Sequence, residues 1–354
     1  MNGEAANSSK RRLRRAAKQV SMADVARQAG VSLITVSRAL RHPEQVTEAT
    51  RRQIDATMAD LGYVPNLIAG GLAATQTRIV SVIVPYITHG VFAEAVQGVA
   101  DALEHKGYCV LLGNSAGSAE QEERIVRTLL GHRPAGVIIQ GANHTQATRK
   151  LLRSAAIPVV ETGTLPREPI DMAVGYCNFE AARSMTTYLI GRGHRRIGFV
   201  SAAPIDNDRA AARLAGYQRA LADAGIKYDL SLVVHTSFGI REGRNVLAKF
   251  LALNPRPGAI FCTSDLWAAG MIGECARRGI AVPDELAIAG FNDQDVASEL
   301  VPAITTIRVP RYEIGRVAGE RRLVLIFDDL QWAGRLHLEL VGYLKRTLAD
   351  RRTF

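Results

Sequence analysis

Two sets of side chains in this sequence have types and spacing that could do chemistry. Near the start, Leu33, Ile34, Thr35, Ser37 and Arg38 bring apolar, hydroxyl and cationic groups together. That mixture can reach base edges and phosphates from the major groove of duplex DNA. Ser21 and Ser32 stand ahead of two helical patterns as caps and join the DNA-contacting set. Farther along, Phe92, Asn114, Gln140, Glu161, Arg213, Phe238, Asp265 and Asn292 combine a guanidinium, carboxylates, carboxamides and aromatic rings. A guanidinium can hold a carboxylate through two parallel hydrogen bonds, which makes Arg213 a candidate anion ligand.

The first set needs short helices to carry it. In Ser21-Met-Ala-Asp-Val-Ala-Arg-Gln-Ala-Gly-Val-Ser-Leu-Ile-Thr-Val-Ser-Arg-Ala-Leu40, Val25, Ala26 and Ala29 repeat at helical spacing, and Asp24 lies three residues after Ser21. Gly30 ends that helix and Ser32 caps the next, so the spacing predicts a helix-turn-helix whose second helix reads DNA. Taken alone, the pair also fits a plain helical hairpin. A third helix from Thr47 through Ile54, Met58 and Leu61 to Gly62 supplies the apolar face that two short helices lack. Next comes Tyr63-Val-Pro-Asn-Leu-Ile-Ala-Gly-Gly-Leu72, where Pro65 suits a helix start and Gly70 and Gly71 weaken that helix by roughly 1 kcal/mol each. Such a helix forms only when something holds it.

The second set needs strands. Short apolar runs at 79–84, 109–112, 136–139 and 157–160 alternate with helical patterns such as 92–106 and 120–130. A second series at 197–200, 232–234, 259–262 and 286–289 alternates with 179–192, 210–224, 241–253 and 267–278. Repeated strand–helix units predict two doubly wound parallel sheets, and ligands of such sheets lie beyond the carboxyl ends of the strands. That rule picks Val91, Phe92, Asn114, Ser115, Gln140 and Glu161 in the first lobe. In the second it picks Asp206, Asn207, Arg213, Phe238, Asp265, Asn292 and Asp293. From spacing alone, Arg213 equally pairs with an acid on a neighbouring helix and Asp265 equally caps the helix from Leu266. Phe92 and Phe238 equally belong to the core.

Composition bears on partners. The 354 residues hold 44 Lys and Arg against 34 Asp and Glu, a formal charge of +10. Residues 1–78 carry 12 basic and 6 acidic side chains, so the excess is concentrated where DNA would lie. Lys10-Arg-Arg-Leu-Arg-Arg15 and Lys18 form a basic arm that reads either as a solvated tail or as a phosphate contact. No signal peptide or membrane span is evident, and Cys109, Cys177, Cys262 and Cys275 lack metal-site spacing. A cytoplasmic protein with reduced thiols, no metal, no cofactor and no membrane partner is expected.

The strings G-V-S-x-x-T-V-S-R-A-L and G-Y-V-P-N-x-x-A closely resemble the lactose/galactose repressor family across residues 21–318. The resemblance implies a helix-turn-helix head at 20–64 and a hinge at 65–77 that folds on operator DNA, with Asn66 and Ala69 in the DNA-binding set and Leu72 as a minor-groove wedge. It also implies a periplasmic-binding-protein-like core with the ligand between its lobes, the first at about 78–165 plus 295–318 and the second at about 166–294. Arg213 matches the family's effector-contacting arginine, Asp265 an acid that binds polyol hydroxyls, and Phe238 an aromatic wall position. Pro43-Glu-Gln-Val-Thr47, Val91-Phe-Ala-Glu94, Asn178-Phe-Glu-Ala-Ala-Arg183 with Met185-Thr186, and Ala287-Ile-Ala-Gly-Phe291 resemble the gluconate-operon repressors within that family. A homodimeric repressor of double-stranded operator DNA, released by a sugar acid such as gluconate, is expected, with a neutral sugar as the alternative effector. Cys177 departs from the usual acid directly before Asn178.

The tail departs as well. Gly319-Glu-Arg-Arg-Leu-Val-Leu-Ile-Phe-Asp-Asp-Leu-Gln-Trp-Ala333 looks like the Walker B strand of signalling ATPases. No G-x-x-x-x-G-K-[ST] phosphate loop accompanies it, so ATP hydrolysis is not expected and no residue is assigned as catalytic. A fused or frame-shifted C-terminus over 319–354, in the extreme a non-functional repressor, accounts for the string. A secreted sugar-binding protein would need an export signal in place of the DNA-binding head.

Overall fold

The computed structural model describes residues 20–65 and 77–320. The expected arm at 1–19, the hinge residues Asn66, Ala69 and Leu72, and the tail from 321 onward lie outside the described residues. The chain divides into two compact units, up to Thr75 and from Gln76.

The first unit is helical. Helix α1 (Met22–Gln28) starts at a capping box in which the Asp24 N–H donates to the Ser21 hydroxyl and the Ser21 N–H to the Asp24 carboxylate. Gly30, at φ +62°, makes the left-handed turn into α2 (Leu33–Arg41), where Ser32 Oγ accepts from the Thr35 N–H at 3.1 Å. Helix α3 (Glu48–Leu61) is capped by Thr47 and ends at left-handed Gly62. Val25, Ala26, Ala29, Val36 and Ile54 form one buried cluster across the three helices, so each short helix is held by its neighbours rather than by its own propensity.

The second unit holds two parallel sheets. In the first, β1 (Ile79–Val84) lies between β2 (Cys109–Asn114) and β3 (Gly136–Gln140), followed by β4 (Val159–Thr162) and β5 (Met172–Val174). In the second, β6 (Ile197–Ser201) lies between β7 (Val233–His235) and β8 (Ala259–Cys262), with β9 (Ala287–Ala289) beyond. Every strand pair is parallel, and near-continuous burial along β1, β3, β4 and β8 is what helices on both faces require. The sheets are wrapped by α4 (Gly90–Glu104), α5 (Ala119–Gly131), α6 (Gln146–Ser154), α7 (Asn178–Gly191), α8 (Asp208–Asp223), α9 (Ile240–Leu251) and α10 (Asp265–Arg278). The short α11 (Val296–Glu299) and α12 (Arg311–Gly319) complete the described chain.

Both expected lobe boundaries move. Met172–Val174 pairs with β4, so the first lobe runs past 165 through 174; its three residues carry too little apolar signal to stand out in the sequence. At the other end, Ala297 and Ile304 are buried in the second lobe's core. The chain rejoins the first lobe only with Val309 and α12, whose Gly315 brings its backbone against Ala95 of α4 so closely that a Cβ would meet the Ala95 carbonyl.

Candidate functional site

On the head, packing decides what α2 can show. Val36 is fully buried, which turns Leu33, Ile34 and Arg38 to solvent, with Leu33 at 47 % and Ile34 at 67 % exposure. Ser37 is half-buried between them. Thr35 shares a 2.8 Å hydroxyl contact with Ser32, and the Ser21 hydroxyl donates to Asp24 at 2.6 Å, so these hydroxyls have local structural work as well. The helix contains no acid, and Arg38 and Arg41 lie in its last turn.

In the core, the loops after β1, β3, β6, β7 and β8 converge on a cleft of about 640 Å³, a volume typical of small-molecule sites. The cleft brings together Phe92, Gln140, Arg213, Phe238 and Asn292 from the expected set, along with Val91, Asp206 and Asn207. It does not include Asn114, Glu161 or Asp265. Asn114 ends β2 on the surface, where its side chain accepts from the Ala116 N–H. Glu161 is enclosed in β4, one carboxylate oxygen taking the Ile170 N–H and the other facing His144.

Asp265 is a positioning residue rather than a wall group. Ser264, not Asp265, caps α10, its Oγ accepting from the Leu266 N–H. The Asp265 carboxylate takes the Gln294 N–H at 2.8 Å and the Thr306 hydroxyl, which fixes the turn carrying Asn292. Burial pushes its pKa up to about 6, against the lowering effect of those hydrogen bonds.

Arg213 sets the cleft's electrostatics. Its Nε donates to Asn178 Oδ1 at 2.9 Å, Nη1 to the Thr263 carbonyl at 3.1 Å and Nη2 to the Tyr176 hydroxyl at 2.8 Å, while the guanidinium lies 3.9 Å over the Phe291 ring. All three acceptors are neutral. Burial is the main cause that holds its pKa below the ordinary arginine value, with Tyr176 opposing. Two other arginines line the cleft, and each has a carboxylate: Arg209 on Asp208 at 3.0 Å and Arg311 on Glu94 through bonds of 2.9 and 3.0 Å. Among the described residues no carboxylate lies within ion-pair distance of Arg213. A guanidinium has five N–H groups, so two remain for a ligand.

The remaining walls are aromatic and cross the lobes. His89, after β1, stacks on Phe238, after β7, with ring centroids 3.9 Å apart, and Phe238 meets Trp267 edge-on at 5.4 Å. Burial lowers the His89 pKa. The Ala142 N–H donates to Asp208 Oδ2 at 3.2 Å, a second contact between lobes. Gln140 is held by the Thr162 hydroxyl at 2.9 Å and lies so near left-handed Gly163 that a Cβ there would collide with its amide.

Tyr86, His89, Tyr176, Arg209, Trp267 and Arg311 were not picked out by the strand-end reading. Tyr176 had a signal: it follows β5, and recognising that strand would have selected it. The role of Asn178 as the acceptor for Arg213 Nε depends on a loop return that spacing does not show.

No helix among the described residues is long and apolar enough to cross a membrane, and no group of three or more His, Cys, Asp or Glu side chains among them is arranged to hold a metal ion. Residues 21–66 match the family described as bacterial regulatory proteins, lacI family. Residues 186–339 match the periplasmic binding protein-like domain, a match that extends 20 residues beyond Gly319 into the tail. The chain is 36 % identical over 309 residues to the HTH-type transcriptional regulator GntR of Escherichia coli K12, covering 87 % of this chain and 92 % of that one. A LacI-family transcriptional regulator from Silicibacter pomeroyi superposes with a TM-score of 0.81 at 32 % identity, over 88 % of this chain and 96 % of its own. The lac repressor dimer bound to operator and the anti-inducer ONPF superposes with a TM-score of 0.73 at 25 % identity, over 86 % and 92 %. With a DNA-reading head, a two-lobed core and relatives of this kind along nearly its whole length, the chain belongs to the LacI family of DNA-binding transcriptional regulators, not to the enzymes.

Proposed function

We propose that this regulator represses transcription as a homodimer on a pseudo-palindromic operator and leaves the operator when a small sugar acid, gluconate or a close relative, enters the cleft. The observation that carries the effector reading is the Arg213 guanidinium, half-buried against neutral acceptors with no carboxylate in ion-pair contact. A ligand carboxylate would supply the missing charge, and a hydrogen-bonded charge pair is worth more in a cleft screened from water than on a surface. Gln140, Asn207 and Asn292 take the hydroxyls, while Phe92 and Phe238 cover the carbon chain. The strings shared with gluconate-operon repressors support the same class. Two identical heads on two half-sites explain why a dimer and a symmetric operator go together.

A neutral sugar is the second reading, favoured by the ring surface of Tyr86, His89, Phe238 and Trp267 along the cleft. The two separate in one titration of the full chain bound to a labelled operator selected from random duplexes. Gluconate at millimolar concentration is expected to release the DNA while glucose at the same concentration does not. Release by glucose and not by gluconate overturns the sugar-acid reading and leaves the repressor intact.

A further inference from the structure

The start of the DNA-reading helix carries a chemistry that the family assignment does not fix. Leu33 and Ile34 are the first two residues of α2, and they project from it at 47 % and 67 % exposure, outside the head's apolar core. Neither side chain can donate or accept a hydrogen bond. They therefore lack the bidentate patterns by which arginine reads guanine or a carboxamide reads adenine. What two adjacent branched aliphatic groups can recognise in a major groove is the one apolar feature it displays, the C5-methyl of thymine.

The surroundings commit this patch to DNA rather than to a protein partner. Ile34, Arg38 and Arg41 follow one another at intervals of four and three residues, so the aliphatic pair continues into two cations on the same face. The helix has no acid of its own. The head's other arginines are engaged elsewhere: Arg27 on Asp24, and Arg51 and Arg52 on Glu48. Among the described residues neither Arg38 nor Arg41 has an ion pair. An apolar patch ending in uncompensated cations is complementary to methyl groups flanked by phosphates, and that charge pattern disfavours a purely hydrophobic partner surface.

We propose that Leu33 and Ile34 are methyl readers, which place thymine at the base pairs of each half-site that face the first turn of α2, while Arg38 and Arg41 hold the adjacent backbone or guanine. This rests on the operator-binding reading above. Burying one methyl group contributes about fourfold in affinity.

The test uses the full chain and a duplex selected by it from a random pool. Each thymine is replaced in turn by deoxyuridine, which removes the methyl and leaves the base's hydrogen-bonding edge unchanged. A loss of about fourfold is expected at one or two positions per half-site, with no change elsewhere. In L33A or I34A the difference between thymine and deoxyuridine at one of those positions should vanish, while the salt dependence that reports phosphate contacts stays as in the parent. Both residues are exposed, so the variants should melt with the parent. The proposal is overturned if deoxyuridine is neutral throughout the site, or if the methyl effect persists in both variants. It is also overturned if the variants change the oligomeric state and leave sequence preference untouched, which would make the patch a contact between copies. Failure to select any duplex would count against operator binding itself, a distinct outcome from a selected site without methyl dependence.

Discussion

Two cations of the core, the enclosed His144 and the half-buried Arg213, are handled in opposite ways. His144, in the loop after β3, has a side chain only 1 % exposed, with Nδ1 at 2.7 Å from Glu122 and Nε2 at 3.4 Å from Glu161, and Arg149 lies 3.9 Å beyond on Glu161. Two cations and two carboxylates from α5, α6, β4 and the loop after β3 thus close on one another. Burial alone would lower the imidazole's pKa, but the bonds and charges of Glu122 and Glu161 outweigh it and raise the pKa to about 9. Arg213 is half-buried, hydrogen-bonds neutral acceptors only, has no carboxylate in ion-pair contact although Asp208 acts on it at longer range, and faces the cleft. A charge with its own partners joins elements of the fold; a charge left without one is available to a ligand. The contrast separates scaffold from site more sharply than depth of burial does.

The largest effect that could break this contrast is on stability. Removing one member of a buried ionic group leaves the others uncompensated and typically costs 3–5 kcal/mol, so about that loss is expected for His144→Ala in denaturant melts of the full chain. Effector affinity of the folded variant should stay within a factor of a few. A variant as stable as the parent but unable to bind would transfer His144 to the ligand site.

The pH response sharpens the same point. His144 has a folded pKa raised above the unfolded value near 6.5, so its contribution is complete below about pH 6.5 and is lost as the pH rises through about 9. The shift corresponds to roughly 3 kcal/mol at most. Melts of the parent between pH 6 and 10 should show that decline, and His144→Gln should flatten it. An equal decline in both would place the alkaline transition elsewhere.

A smaller effect concerns the neutral cradle of the other cation. Tyr176→Phe removes one acceptor from Arg213 and keeps the ring beside Phe291. Loss of a hydrogen bond to a charged group is worth about 1.5–3 kcal/mol, part of which water recovers. A roughly tenfold weaker sugar-acid affinity is expected, with a melting temperature lowered by no more than a few degrees. Unaltered affinity would show that Tyr176 does not orient the guanidinium.

Much of this was legible in the sequence, and the exceptions have physical reasons. Capping residues Ser21, Ser32 and Thr47 announced their helices because an N-cap bond is local, and the parallel strands announced themselves as apolar runs because both faces are buried. The strand-end rule found Phe92, Gln140, Arg213, Phe238 and Asn292 in the cleft, since topology alone places such residues. It does not place Asn114, Glu161 or Asp265 there, because being at a strand end does not say which way a side chain turns. Glu161 faces His144, and Asp265 is occupied by Gln294 and Thr306. Those partners lie 17 and 29 to 41 residues away, beyond the reach of any local pattern.

The central claim is that Arg213, which has no carboxylate in ion-pair contact, is the effector's anchor. Titration calorimetry of gluconate into the full chain tests it most directly, with Arg213→Ala, and Arg213→Lys to keep a charge without the fork, run alongside. The account predicts binding to the parent, a loss of several kcal/mol in Arg213→Ala that takes a micromolar ligand out of the measurable range, partial recovery in Arg213→Lys, and unchanged operator affinity in all three. Undiminished gluconate binding by Arg213→Ala would contradict it.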